Sequence, residues 1–227
     1  MKISSVCVAA LLAVAAAPAV AQVDQERAAA WFREAALLCE REGGKLWGMS
    51  LCGPMVIADP VTRTMATNQP RPDVPPPPAV GFANAAMDWG GTRWSTFVWQ
   101  HMPAADSTMR RRLMIHELFH RIQPDLGFRI QEGENDHLDT PDGRYWIQLE
   151  WRALARALET SAAERERAVR DALGFRAARR RQFPEAALNE QRLEFNEGLA
   201  QYTGTVVAAG GWAEAAADAV AQLGQAP

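Results

Sequence analysis

The stretch from Arg112 to Ile122, Arg-Leu-Met-Ile-His-Glu-Leu-Phe-His-Arg-Ile, constrains the fold of this chain more than any other. Asp106 or Ser107 can cap a helix that begins just ahead of it, and Pro124 stops that helix at about Gln123. Leu113, Ile115, Leu118, Phe119 and Ile122 fall around most of its circumference, so other elements must enclose this helix. Whatever encloses it also encloses His116 and His120. Residues four apart stack on one helical face, so both imidazoles can close on a single cation with Glu117 beside it. A buried imidazole without a partner is costly, which implies a metal or a hydrogen-bond network.

A chain of 227 residues with 48% hydrophobic content can bury one substantial core, which predicts a single domain over residues 22–227. A formal charge of -3, with arginines scattered among acids, gives no electrostatic footprint for nucleic acid. Met1 to Ser5 with a lysine, an apolar run from Val6 to Ala17 and the ending Pro18-Ala19-Val20-Ala21 have the parts of a secretory signal peptide. Cleavage after Ala21 is expected, with no membrane span afterwards and a periplasmic or secreted destination. The cut removes Cys7 and leaves Cys39 and Cys52, which in an oxidising compartment are expected to pair.

The periodicity predicts a first helix over residues 24–41 that buries Ala28, Trp31, Phe32, Ala35, Leu38 and Cys39 and ends at Gly43-Gly44. Residues 45–58 suggest short strands around a turn. The proline run over 70–78 reads as a stiff extended crossover. Thr92 to Trp99, behind Trp89-Gly90-Gly91, is the clearest strand. It lacks a cleanly polar face, so both faces should be covered, and it is the candidate edge for an extended peptide. Residues 124–143 read as a polar, solvated lid in which His137 is exposed. Helices come next over 144–158, 162–182 and from Phe183-Pro184 through Tyr202, with a last one over 212–223. The expected fold is helix-rich α+β. A small N-terminal antiparallel or mixed sheet packs on the His116 helix (about 22–123), and a helical part completes the chain (about 144–227).

Two histidines four apart around a glutamate form the core of a zinc hydrolase, and a catalytic zinc takes three protein ligands. No histidine or cysteine comes after His120 at a ligand spacing, which leaves a glutamate on a later helix: Glu150, an acid inside an apolar stripe, or Glu197. Asn196-Glu197-Gly198-Leu199-Ala200-Gln201-Tyr202 resembles the N-E-G-x-A and E-G-x-x-x-Y helices of gluzincin metallopeptidases, notably their aminopeptidase and glycyl-aminopeptidase branches. The resemblance implies that Glu197 is the third zinc ligand beside His116 and His120, and that Glu117 is the general base. Gly198 is expected to let the two motif helices approach closely, and Glu194 to support a ligand histidine from behind. Ala85-Ala86-Met87-Asp88-Trp89 is similar to the G-A-M-E-N strand with which related aminopeptidases hold a free amino terminus, with aspartate for glutamate and no leading glycine. Tyr202, Tyr145 and His137 are the candidate transition-state donors. The expected activity is zinc-dependent hydrolysis of a peptide or protein substrate. The alternative is a periplasmic binding or scaffold protein whose metal site is structural or lost, for which a closed site using both Glu150 and Glu197 would be the sign.

Overall fold

The computed structural model describes residues 22–128 and 133–225. The signal-peptide reading, with Cys7, lies outside the described residues. Among those described, no helix is long and apolar enough to cross a membrane.

Helix α1 (Gln25–Glu42) starts where Asp24 accepts a hydrogen bond from the Arg27 amide and ends at Gly43, whose φ of 61° is the left-handed cap that glycine adopts without strain. Its buried face contains all six residues marked by the periodicity, plus Glu42. Four strands come next: β1 (Met55–Ala58), β2 (Met65–Thr67), β3 (Ala85–Trp89) and β4 (Thr92–Val98). They form one mixed sheet in the order β2-β1-β4-β3, in which β1 and β4 run parallel and the outer pairs antiparallel. Residues 45–54, expected to include a strand, are irregular. They are held by the Cys39–Cys52 disulfide and by Arg121, which donates to the carbonyls of Ser50, Leu51 and Cys52.

The strongest strand signal does not make the edge. β4 is central because it pairs with both β1 and β3, and the edge on the site's side is β3. The β3–β4 hairpin turns through Gly90 and Gly91 at φ of 60° and 77°, the signature of a two-residue type I′ turn. At Gly90 a Cβ would lie 2.4 Å from that of Pro72, so the proline-rich crossover packs directly on the turn, and Trp89 Nε1 donates to the Val74 carbonyl beside it. That crossover covers one face of the sheet, where Val56, Ala58, Trp89 and Trp94 cluster. The other face carries Met55, Ile57 and Phe97 into the main core with α1 and α2. Covering both faces explains the unbroken burial of β4 from Trp94 onward.

Helix α2 (Ser107–Ile122) is capped by Asp106 and buries Ile115, Leu118, Phe119 and Ile122, as its apolar girth requires. Ser95 Oγ on β4 donates to the Glu117 carbonyl at 2.9 Å, which fixes α2 on the sheet at the motif itself. The helical part comprises α3 (Pro141–Glu159), α4 (Ala162–Gln182), α5 (Ala186–Leu193), α6 (Leu199–Ala208) and α7 (Trp212–Leu223). One π-helical turn, Glu194–Gly198, joins α5 to α6.

The close approach of α6 to α2 occurs at Gly204, not at Gly198. A Cβ on Gly204 would sit 2.6 Å from the Arg112 carbonyl, whereas one on Gly198 would meet only the Glu194 Cβ at 3.7 Å. Gly204→Ala is therefore expected to lower stability by about 1–3 kcal/mol through overpacking. Gly198→Ala is expected to be neutral or stabilising by up to about 1 kcal/mol. Denaturant unfolding of the two variants checks the contrast.

Candidate metal centre

Three side chains from two distant segments converge at the mouth of α2. His116 Nε2 and His120 Nε2 lie 3.0 Å apart, and Glu197 Oε2 is 3.2 Å from the first and 3.5 Å from the second. Their ligating atoms all fall within 4.8 Å of one another. The two histidines share a face because they are one helical turn apart. Glu197 reaches them because the π turn inserts one extra residue into the α5–α6 helix, which rotates the residues after it by about 100° relative to those before it. Without that offset Glu190, Glu194 and Glu197 would share a face, as the sequence suggests. With it, Glu190 and Glu194 turn to arginines and Glu197 alone turns to the imidazoles.

A hydrogen-bond relay sets the His120 tautomer. Gln123 Nε2 donates to the carbonyls of Phe195 and Asn196 at 2.7 and 3.3 Å, which leaves its Oε1 to accept from His120 Nδ1 at 2.8 Å. With Nδ1 donating to Gln123, Nε2 is the nitrogen available to give a lone pair to a cation held by the cluster. The same relay ties the end of α2 to the π turn. Burial works to lower the His120 pKa, but hydrogen bonds with Glu197 and Gln123 outweigh it and raise the value. Hydrogen bonds from His116 and His120 hold the Glu197 carboxyl well below the usual carboxylate range. The donor set, two imidazoles and a carboxylate, fits a divalent cation of the zinc type.

Glu117 lies beside this cluster and is not part of it. It is buried, its Oε2 has no hydrogen-bond partner among the described residues, and burial pushes its carboxyl pKa up against the opposing pull of His116 and His120. A cleft of about 200 Å³ opens over Glu117, His120 and Glu197, with Asn84, Ala86 and Arg93 on its sheet side. The strand similar to an amine-holding motif is thus the strand beside the site, although Asp88 is not part of the cleft lining.

Other expectations about side chains are overturned. Glu150 is 2% exposed and bound by Arg176 and Arg179, both at 2.7 Å, so its charge is already matched inside the helical part. Glu194 pairs with Arg176 instead of backing a histidine; Gln123 takes that place. Arg179, near the end of α4, is 1% exposed between Glu150 and Glu190. His137 is not a free loop residue: a 3-10 turn, Asp136–Asp139, presents it to Glu190 Oε1 at 2.9 Å with its side chain 7% exposed. Tyr145 meets Trp146 edge to face, and Tyr202 lines a separate apolar groove with Trp212, so no proposed donor faces the cleft. Sequence reasoning passed over Gln123 and Arg93. The first is recoverable as the residue one turn beyond His120, and the second as an arginine on the same strand face as Ser95.

Comparison of the chain with protein-family models, with curated proteins and with solved structures finds no match.

Proposed function

We propose that the protein is an exported zinc-dependent peptidase of gluzincin type. The single observation that carries this reading is the convergence of His116, His120 and Glu197 beside a buried Glu117 whose Oε2 has no partner among the described residues. When bound by that triad, zinc supplies Lewis-acid polarisation of a carbonyl and acidifies a water to a pKa of about 7. Glu117 takes the proton of the attacking water on Oε2 and delivers it to the leaving amine. The peptide lies along β3, the sheet edge beside the cleft, as an added strand. The relay through Gln123 holds His120 in the ligating tautomer. Export is supported by the disulfide, which persists in an oxidising compartment.

The decisive experiment combines elemental analysis with Glu117→Gln. The purified protein should carry stoichiometric zinc and cleave a peptide library, and Glu117→Gln should keep the zinc and lose at least about a hundredfold in turnover. Absence of zinc from the wild type, or undiminished cleavage by Glu117→Gln, removes the reading. Gln123→Leu is expected to weaken zinc binding by about 10–100-fold, because it removes the acceptor that orients His120; competition with a chromophoric chelator measures this. The alternative of a closed structural site with both glutamates loses its basis, since Glu150 is held by arginines.

A further inference from the structure

Among the described residues, Arg93 is the only arginine or lysine lining the cleft, and it is poorly satisfied where it stands. Its Nε is buried with no hydrogen-bond partner among those residues. Its ion partner there, Asp88, lies 3.7 Å away across the hairpin and is 75% exposed, so this pair contributes little. A guanidinium has five donors in a fixed fork, and the expected occupant of an unfilled fork is a carboxylate. Position along the strand says which part of a substrate it meets. Arg93 and Ser95 project from the same face of β4, and Ser95 is the residue that touches the Glu117 backbone. Arg93 therefore stands one same-face step away, about 6.5 Å along the strand from the residue that abuts the base. That offset addresses a group beside the scissile bond, not the reacting carbonyl. The register repeats the point on β3, where Ala86 lies opposite Ser95 and Asp88 opposite Arg93.

From these observations we infer that Arg93 is a specificity-determining residue that selects peptides with a carboxylate next to the cleavage position. The cleavage position rests on the peptidase reading, and the preference for a carboxylate on Arg93 alone. It also sets this site apart from one built to hold a free amine. The acid of the amine-holding motif, Asp88, points to solvent, and the charge that β4 presents to the cleft is positive.

The carboxylate can come from an internal acidic side chain or from a chain terminus, and equilibrium binding separates the two. The probes are dye-labelled glycine-alanine peptides in which a single glutamate is walked along the chain. Each is paired with its glutamine counterpart, and each pair is made with a free and with an amidated C-terminus. Anisotropy is read on the full chain carrying Glu117→Gln, so that the probes stay intact. At one glutamate position, or with the free terminus, the acidic member should bind about ten- to hundredfold more tightly than its neutral counterpart. The ratio should fall to about one when Arg93→Gln is added, and Arg93→Lys should retain part of it, which a merely structural role would not require. Thermal melts confirm that the variants are folded. Equal binding of every pair, no binding, or a preference that survives Arg93→Gln overturns the assignment. Cleavage by the wild type without such a preference also removes the role of Arg93 and leaves the peptidase reading standing. A preference without zinc or cleavage removes the peptidase reading and leaves the anion site.

Discussion

Glu197→Ala is expected to lower zinc affinity by more than about a hundredfold and to abolish zinc-dependent cleavage, while Glu150→Ala keeps its zinc. The size comes from the role of Glu197. Loss of a partner behind a ligand already costs about 10–100-fold, and removal of a ligand exceeds that. Among the described residues, Glu197 Oε2 is the sole carboxylate oxygen placed against both imidazoles, at 3.2 and 3.5 Å. Glu150 faces the other way, into Arg176 and Arg179, so its removal takes one of two carboxylates from the buried Arg179 and leaves His116, His120 and Glu197 in place. The two variants should therefore separate cleanly, one losing metal and the other stability. A chelator titration of both beside a denaturation curve for each measures the split. Loss of zinc from Glu150→Ala alone would mean that the third ligand has been misassigned.

Arg179→Met is expected to cost about 3–5 kcal/mol of stability. Arg179 is 1% exposed and bridges Glu150 and Glu190, which are 2% and 5% exposed. Without it two carboxylates would remain in the interior with weaker compensation. Arg176 retains one contact to Glu150, and Arg180 and His137 retain theirs to Glu190. The network also joins α3, α4 and α5 to the segment carrying His137, so its loss should loosen the approach to the π turn. Its pH dependence has a definite sign. Burial works to raise the Glu190 carboxyl, but Arg179 and Arg180 prevail and hold it at about 2, below the ordinary 4.5. Stability from this group is thus fully present above about 4.5 and is lost as the pH falls toward about 2. Arg179→Met should flatten that part of the acid unfolding profile. A loss below about 1 kcal/mol would mean that the carboxylates find other partners.

Much of the fold was legible because its signals are local. The cap at Asp106, the stop at Gly43, the apolar girth of α2 and the paired glycines before β4 each act within a few residues, and each produced the element it implies. Failures occurred where a residue's role depends on a partner far along the chain. Glu150 reads as a rival ligand to Glu197 and Glu194 as a supporting acid, because sequence gives their charge but not which charge they meet. The edge strand was misplaced for a related reason: β-branched content marks a strand, while its rank in the sheet depends on the parallel pairing of β1 with β4 across the crossover. Gly198 reads as the point of close approach because it adjoins Glu197, yet close approach is a property of where two helices cross, which is at Gly204.

By itself the sequence determined the helix that must be buried, the two histidines on one of its faces and the glutamate between them. Those result from a period of 3.6 residues and from the cost of leaving so many apolar side chains in water. The resemblance of the Asn196–Tyr202 segment points to Glu197, but only the tertiary structure decided how that acid comes to face them. A single π turn rotates Glu197 away from Glu190 and Glu194 and toward His116 and His120, while buried arginines take the remaining acids. One residue more or less in that turn would redirect every side chain after it. Helical periodicity read along a sequence assumes a constant number of residues per turn, so it carries no mark of the point where that number changes.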